Sequence, residues 1–354
     1  TSTTPTPTPD PIVTEALVGT ISADMTLTAD KVWMLNGKVV VPDTVTLTIE
    51  PGTTVAGMDG TDAWLMVMPG GELIANGTAV DPITFTSEDT SLQDEGQWGG
   101  LTIIGNAAMD TQVQPYEVNS AYTAGTGQAT DSSGTLRNVY ILNSGITMAE
   151  DKEINGLSMI GVGSGTTVEN ITVNYSDDDA IEIWGGTVNL TNVKITNCTD
   201  DFFDIDDGYN GTVTNLVINT ENTILTPGNA AIEMSGDTAA TFNGFTITTG
   251  VTQAKEGGIY FKNSGIGGHF KNGTIIHNGG VITADGALHS NDIIVAGNTS
   301  FENVAITAGE GLIYTGPSAA ALQSAFESGS DNVICTIPTS VTLAGDLTGC
   351  TVLT

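Results

Sequence analysis

The chain is poor in positive charge. Among its 354 residues, 8 are Lys or Arg and 41 are Asp or Glu, so the formal net charge is −33. Arg137 is the sole arginine. A surface so short of cations cannot neutralise a phosphate backbone or hold anionic headgroups, which excludes nucleic acid and charged membrane surfaces as partners. Long apolar runs are missing too. A bilayer span needs ~18 or more apolar residues in succession, and no stretch approaches that, so membrane insertion is not expected. No Gly-rich stretch ends in Gly-Lys-Ser/Thr, which leaves no phosphate loop. The three histidines and three cysteines form no Ser-His-Asp or Cys-His grouping. Charged residues total only 14%, so the acidity reflects absent bases more than abundant acids. At 39% hydrophobic, the chain is too apolar to be a disordered acidic tail.

The ends differ from the middle. The sequence opens on Thr1 without an apolar leader, which we read as a secreted chain whose signal peptide has been removed, extracellular or on the cell surface. Residues 1–11 read TSTTPTPTPDP, and residues 1–14 are expected to form an extended Thr/Pro tail. Residues 317–327 carry Pro near the start and Ala, Leu and Phe on one face, the pattern of a short helix. With Cys335 and Cys350 placed to close a disulfide in an oxidising compartment, residues 317–354 are expected to cap the C-terminal end. Cys198 lies in an apolar-periodic stretch and is expected to be a buried thiol.

Between these ends the chain repeats itself. The pattern apolar-x-Asn-x-x-apolar places Asn138, Asn170, Asn192, Asn215, Asn272 and Asn303 in equivalent slots, with Gly244 in the same slot of a seventh copy. Successive slots are 32, 22, 23, 29, 28 and 31 residues apart. A second short strand accompanies most copies: Ile181-Glu-Ile183, Phe203-Asp-Ile205, Ile232-Glu-Met234, Ile259-Tyr-Phe261 and Leu312-Ile-Tyr314. Strands this short, separated by Gly, Asn and Asp, do not form helices. The steps match one coil of a parallel β-helix, in which equivalent residues stack about 4.8 Å apart. The Leu-x-x-Leu-x-Leu signature of a leucine-rich solenoid is absent. The expected fold is therefore all-β, a single-stranded parallel β-helix over residues 15–316.

Several strings resemble a known family. They are Val39-Val-Val-Pro-Asp-Thr-Val-Thr-Leu-Thr-Ile-Glu-Pro-Gly-Thr53, Trp98-Gly-Gly-Leu-Thr-Ile-Ile-Gly-Asn-Ala107, Asp178-Asp-Ala-Ile-Glu-Ile-Trp-Gly-Gly-Thr-Val188 and Asp200-Asp-Phe-Phe-Asp204. Over roughly residues 30–220 the chain resembles the right-handed parallel β-helix repeat proteins, secreted or lipoprotein-like, of environmental Gram-negative bacteria. The resemblance implies a right-handed solenoid and an extracellular or cell-surface setting. It implies no established reaction.

Acidic residues mark the candidate site. An offset of 22 places Asp178-Asp179 on Asp200-Asp201 and Glu182 on Asp204, and a further step of 29 brings Glu233 onto Asp204. This sets a column of outward-facing acids on adjacent coils. Like charges that close repel unless something neutralises them, and the chain has few cations to offer. Asp177, Asp178, Asp179, Asp200, Asp201, Asp204, Asp206 and Asp207 are therefore expected metal ligands, and their hard oxygens suit Ca²⁺. The alternative makes Glu182, Asp204 and Glu233 catalytic, because adjacent coils hold carboxylates at the ~5 Å separation of a retaining glycosidase. Against it, polygalacturonase-type motifs are missing and an acidic chain repels uronates. His269, His277 and His289 form no close pair. Trp33, Trp64, Trp98 and Trp184 are candidate sugar platforms, although three lie in strand patterns. The functional expectation is a secreted structural protein that assembles with copies of itself into a filament or sheath, through its N-terminal tail and coil edges, with Ca²⁺ in its acidic turns. The alternative is a surface protein that binds or cleaves polysaccharide.

Overall fold

The computed structural model describes residues 13–308 except 90, 92, 111–114, 117–118, 126, 150–151, 221–229, 250–256, 263–266, 278–287 and 291–298; beyond 308 it describes only 314–315, 334–336 and 351–353. The Thr/Pro tail up to residue 12, the helix expected at 317–327 and the Cys335–Cys350 disulfide lie outside the described residues.

Among the described residues, twenty-five strands join one continuous sheet, wound as a right-handed parallel β-helix. Each coil contributes three strand segments. The first two are halves of one bent strand, as in Gly134–Ser144, Thr167–Ser176, Asn189–Cys198 and Thr212–Asn219. The third is short and straight, as in Leu157–Ile160, Ile181–Trp184, Phe203–Asp206, Ala230–Met234 and Gly257–Phe261. Pairing is parallel between equivalent strands: Val168 lies beside Leu190, and Ile181 beside Phe203.

The Asn slot is the bend between the first two segments. Asn138, Asn170, Asn192, Asn215, Asn272 and Asn303 all have φ between 50° and 57°, the left-handed region that Asn tolerates better than most residues. Gly244 occupies it at φ 75°. The amides stack, with Asn170 Nδ2 donating to Asn138 Oδ1 at 3.1 Å, Asn192 to Asn170 at 2.8 Å and Asn215 to Asn192 at 2.9 Å. Gly244 has no amide to offer, and Asn272 donates instead to Asn243 at 2.9 Å.

Inside the coils, Val, Leu and Ile fill alternate positions and are essentially sealed from solvent. Burial of each such side chain contributes about 1.5–3 kcal/mol. In the later coils phenylalanines take over: Phe242 stacks on Phe270 with centroids 5.1 Å apart, and Phe270 on Phe301 at 5.0 Å. A second apolar cluster lies on the outer face of the third segment. There Trp64, Met66, Ile104, Ile160 and Trp184 are covered by Met109 and Ala124 from the excursion at 106–133 and by Ile154. All four tryptophans are buried, so none presents a ring to a sugar.

Candidate metal centre

Two turns build the site. In each, a bent strand ends and four residues lead into a short one: residues 177–180 precede Ile181–Trp184, and 199–202 precede Phe203–Asp206. The first turn needs Asp178 in the left-handed region, at φ 56°. Thr199 Oγ1 donates to Asp177 Oδ1 and accepts from the Asp178 N–H, both at 2.8 Å, and so ties the two turns together.

A capping ladder runs down this corner. Asn155 Oδ1 accepts the Asp179 N–H at 3.2 Å, Asp179 Oδ1 accepts the Asp201 N–H at 2.8 Å, and Asp201 Oδ1 accepts the Ala230 N–H. One oxygen of each aspartate is thus engaged by the backbone of the next coil. Asn155 also donates through Nδ2 to Glu182. The backbone reaches Asn155 from the hairpin Ile146–Ala149/Lys152–Ile154, which opens on Gly145. Gly145 has φ 82°, and a Cβ there would lie 1.8 Å from the Asp177 carbonyl oxygen, so only glycine fits.

The column expected from the offsets forms. Ser158, Glu182, Asp204, Glu233 and Tyr260 occupy equivalent positions on successive coils. Their side chains alternate with Ile181, Ile183 and Ile205 and so point away from the solenoid interior. Outward here does not mean exposed. Glu182 and Asp204 are each 8% exposed and Glu233 is 3% exposed. Asp179 and Asp201 are likewise buried. Sequence alternation reports which face of a strand a residue takes, but not whether a neighbouring segment covers that face.

Three sets of carboxylates each bring one oxygen per residue within 4.8 Å of the others: Asp178, Asp179 and Asp200; Asp179, Glu182 and Asp204; and Asp201, Asp204 and Glu233. Shared members join the first two sets through Asp179 and the last two through Asp204. Lys262 Nζ reaches Glu233 Oε1 at 2.5 Å. Asp204 Oδ1 is buried and has no hydrogen-bond partner among the described residues. Of the expected ligands, Asp178, Asp179, Asp200, Asp201 and Asp204 come together. Asp177, Asp206 and Asp207 lie outside the three sets. Asp206 and Asp207 sit at the far end of their strand, where Asp206 Oδ1 accepts the Asp207 N–H at 2.6 Å and Asp110 N–H reaches the Asp207 carbonyl at 3.0 Å. Sequence reasoning missed Asn155 and Lys262. Asn155 precedes Leu157–Ile160 as Asp179 precedes Ile181–Trp184, so the repeat carried a signal for it. Lys262 follows the strand Gly257–Phe261 without any motif.

Burial dominates the electrostatics. It pushes the Asp179, Asp201 and Asp204 carboxyls well above the usual carboxylate range, and neighbouring acids add to the effect. Asp200 is raised to about 6 by burial and by the Glu233 charge. Burial also raises Glu233, although the Lys262 charge opposes it. For Lys262 itself, burial favours the neutral amine, but the Glu233 charge and hydrogen bond outweigh that and raise it. If fully ionised, the seven carboxylates and one ammonium would carry −7 + 1 = −6 in a poorly solvated space. Such a group takes up either protons or a cation.

The sequence matches, over residues 19–332, a family described as a pectate-lyase-like β-helix domain. Comparison with curated proteins finds no match.

Proposed function

The chain belongs to the pectate-lyase-like β-helix domain family, and from that premise we propose that it is an extracellular surface protein with a structural role, loaded with Ca²⁺ and assembled from copies of itself. The observation that carries the reading is the buried carboxylate group, with the Lys262 ammonium against Glu233 and an Asp204 Oδ1 that has no hydrogen-bond partner among the described residues. Hard oxygen ligands at this density suit Ca²⁺, which accepts six to eight of them in flexible geometry. Neutralising these acids removes a destabilising charge and lowers repulsion between copies that each carry −33. Self-association draws on the first coil. Among the described residues, Thr14–Thr20 pairs on one side with Val32–Val41, and Met25–Leu27 on one side with Thr46–Ile49. Val18 on that coil is 68% exposed. An unpaired strand edge with exposed apolar side chains is a template for another chain.

Burial makes the carbohydrate-cleaving reading weaker. An ion needs only oxygens as close as those of Glu182, Asp204 and Glu233 with their neighbours, whereas a pyranose ring cannot approach side chains exposed by 8% or less without displacing their cover. The test is calcium titration calorimetry on the full, chelator-dialysed chain, with sedimentation velocity in calcium and in EDTA. Stoichiometric binding, weakened at least tenfold by Asp204→Asn, and larger species that disperse in EDTA are expected. Absence of heat and of any Tm shift would overturn the calcium assignment. Monomers under both conditions would overturn the assembly.

A further inference from the structure

A groove of about 400 Å³ runs along the solenoid on the side of the Asn slots, far from the carboxylates. Its floor is one outward column, Tyr140, Thr172, Lys194 and Val217, flanked by the stacked asparagines. Thr78, Ala79 and Pro82 line its end nearest the first coil, beside Asn138 and Tyr140. Tyr140 and Val217 are each 41% exposed. Each stacked amide gives one N–H to the ladder and keeps a second for another acceptor.

The register connects this floor to the place where the chain enters the structure. Thr14 pairs with Val32, Val32 with Thr54, Thr54 with Thr84, and Thr84 with Tyr140. The same column continues through Thr172 and Lys194 to Val217. Thr14 is thus the first member of the column that becomes the groove floor. Val13 is still held there, its carbonyl accepting the Val32 N–H at 2.9 Å. Tyr140 lies four steps along, roughly 19 Å, and Val217 seven steps, roughly 34 Å. The twelve residues before Val13 include TSTTPTPTPDP, whose alternating prolines favour the polyproline II form. At about 3.1 Å per residue they reach roughly 37 Å. Counted back from Thr14 at that rise, Tyr140 falls opposite roughly Thr8 and Val217 opposite roughly Thr3, which sets Pro5 and Pro7 over the groove.

We propose that residues 3–8 of the same chain dock in this groove as a polyproline II strap. Pro7 packs beside Tyr140 and Pro5 over the Lys194 stem, and the strap's carbonyls, which lack internal partners in that form, accept from the asparagine amides and Lys194. The strap segment carries no charge, so the protein's acidity does not oppose it. The tether favours the chain's own segment over a neighbour's, because a short linker holds it at millimolar effective concentration. The inference stands apart from the calcium centre and from assembly at the coil edge.

The test places a photo-crosslinking benzoyl-phenylalanine at position 140 or 217 of the full chain, with position 148 as an exposed site off the groove. Residues 5–9 should cross-link to position 140 and residues 1–4 to position 217, within a monomer. Position 148 should give neither product. Pro5→Gly with Pro7→Gly should lower the yield about tenfold by loosening the free segment. A covalent dimer would assign the groove to a second copy's segment and overturn the proposal. A monomer without cross-links to residues 1–12 would overturn it as well.

Discussion

Asp200 offers a direct measure of what the carboxylate group costs the metal-free protein. Its carboxyl is raised from an ordinary 3.8 to about 6 by burial first and the Glu233 charge next, against the pull of Lys262. Between those values the folded chain binds a proton that the unfolded chain has released, so stability falls as pH rises from about 4 through 6. A shift of that size corresponds to about 3 kcal/mol. For one unfolding unit of this length it moves Tm by roughly 4 °C. Asp200→Asn carries no charge at any pH and serves as the reference. In EDTA the variant and the native chain should melt together near pH 4. By pH 7 the variant should melt roughly 4 °C higher. Saturating calcium should close or reverse this gap, since the native chain gains a ligand that stabilises only the folded state. A gap in EDTA that stays constant from pH 4 to 7, or that favours the native chain at pH 7, would refute the argument.

Three further outcomes are expected from differential scanning calorimetry and denaturant melts. Phe270→Ala, which removes the middle ring of the Phe242–Phe270–Phe301 stack, should cost about 3–5 kcal/mol with no effect on calcium affinity. Asn192→Ala should cost about 2–3 kcal/mol, because it removes one donor and one acceptor from the amide ladder and puts alanine at φ 57°, whereas Asn192→Gly should recover part of that loss. Gly145→Ala should shift the hairpin that leads to Asn155, and so weaken calcium binding measured by titration, although residue 145 is not a ligand.

Much of the architecture was legible because a β-helix writes each coil into the sequence. Asn138 through Asn303 mark a corner that needs positive φ, and few residues accept that conformation. The offsets of 22 and 29 predicted the pairing of Glu182 with Asp204 and of Asp204 with Glu233, and the register agrees. The burial of those acids was not legible. It depends on contacts between coils, such as that of Asn155 with Glu182, and a strand's alternation does not report these. Lys262 escaped for a related reason: an isolated lysine at a strand end has no pattern until the next coil is stacked against it.

Chain length varies from coil to coil at the corner between the bent and the short strand. Four residues suffice between the bent and the short strand at 177–180 and 199–202, but the equivalent corner spans residues 220–229, 250–256 and 278–287 in later coils. The two tightest corners are those at which Asp179 and Asp201 hold the next coil's backbone. Divergence among relatives should therefore collect at this corner, beyond Asp201, where a segment can lengthen or be exchanged without changing the pitch of the stack. For protein engineers the same corner is the natural port for grafted loops, and coils 170–215 are the minimal module from which a longer rod can be copied.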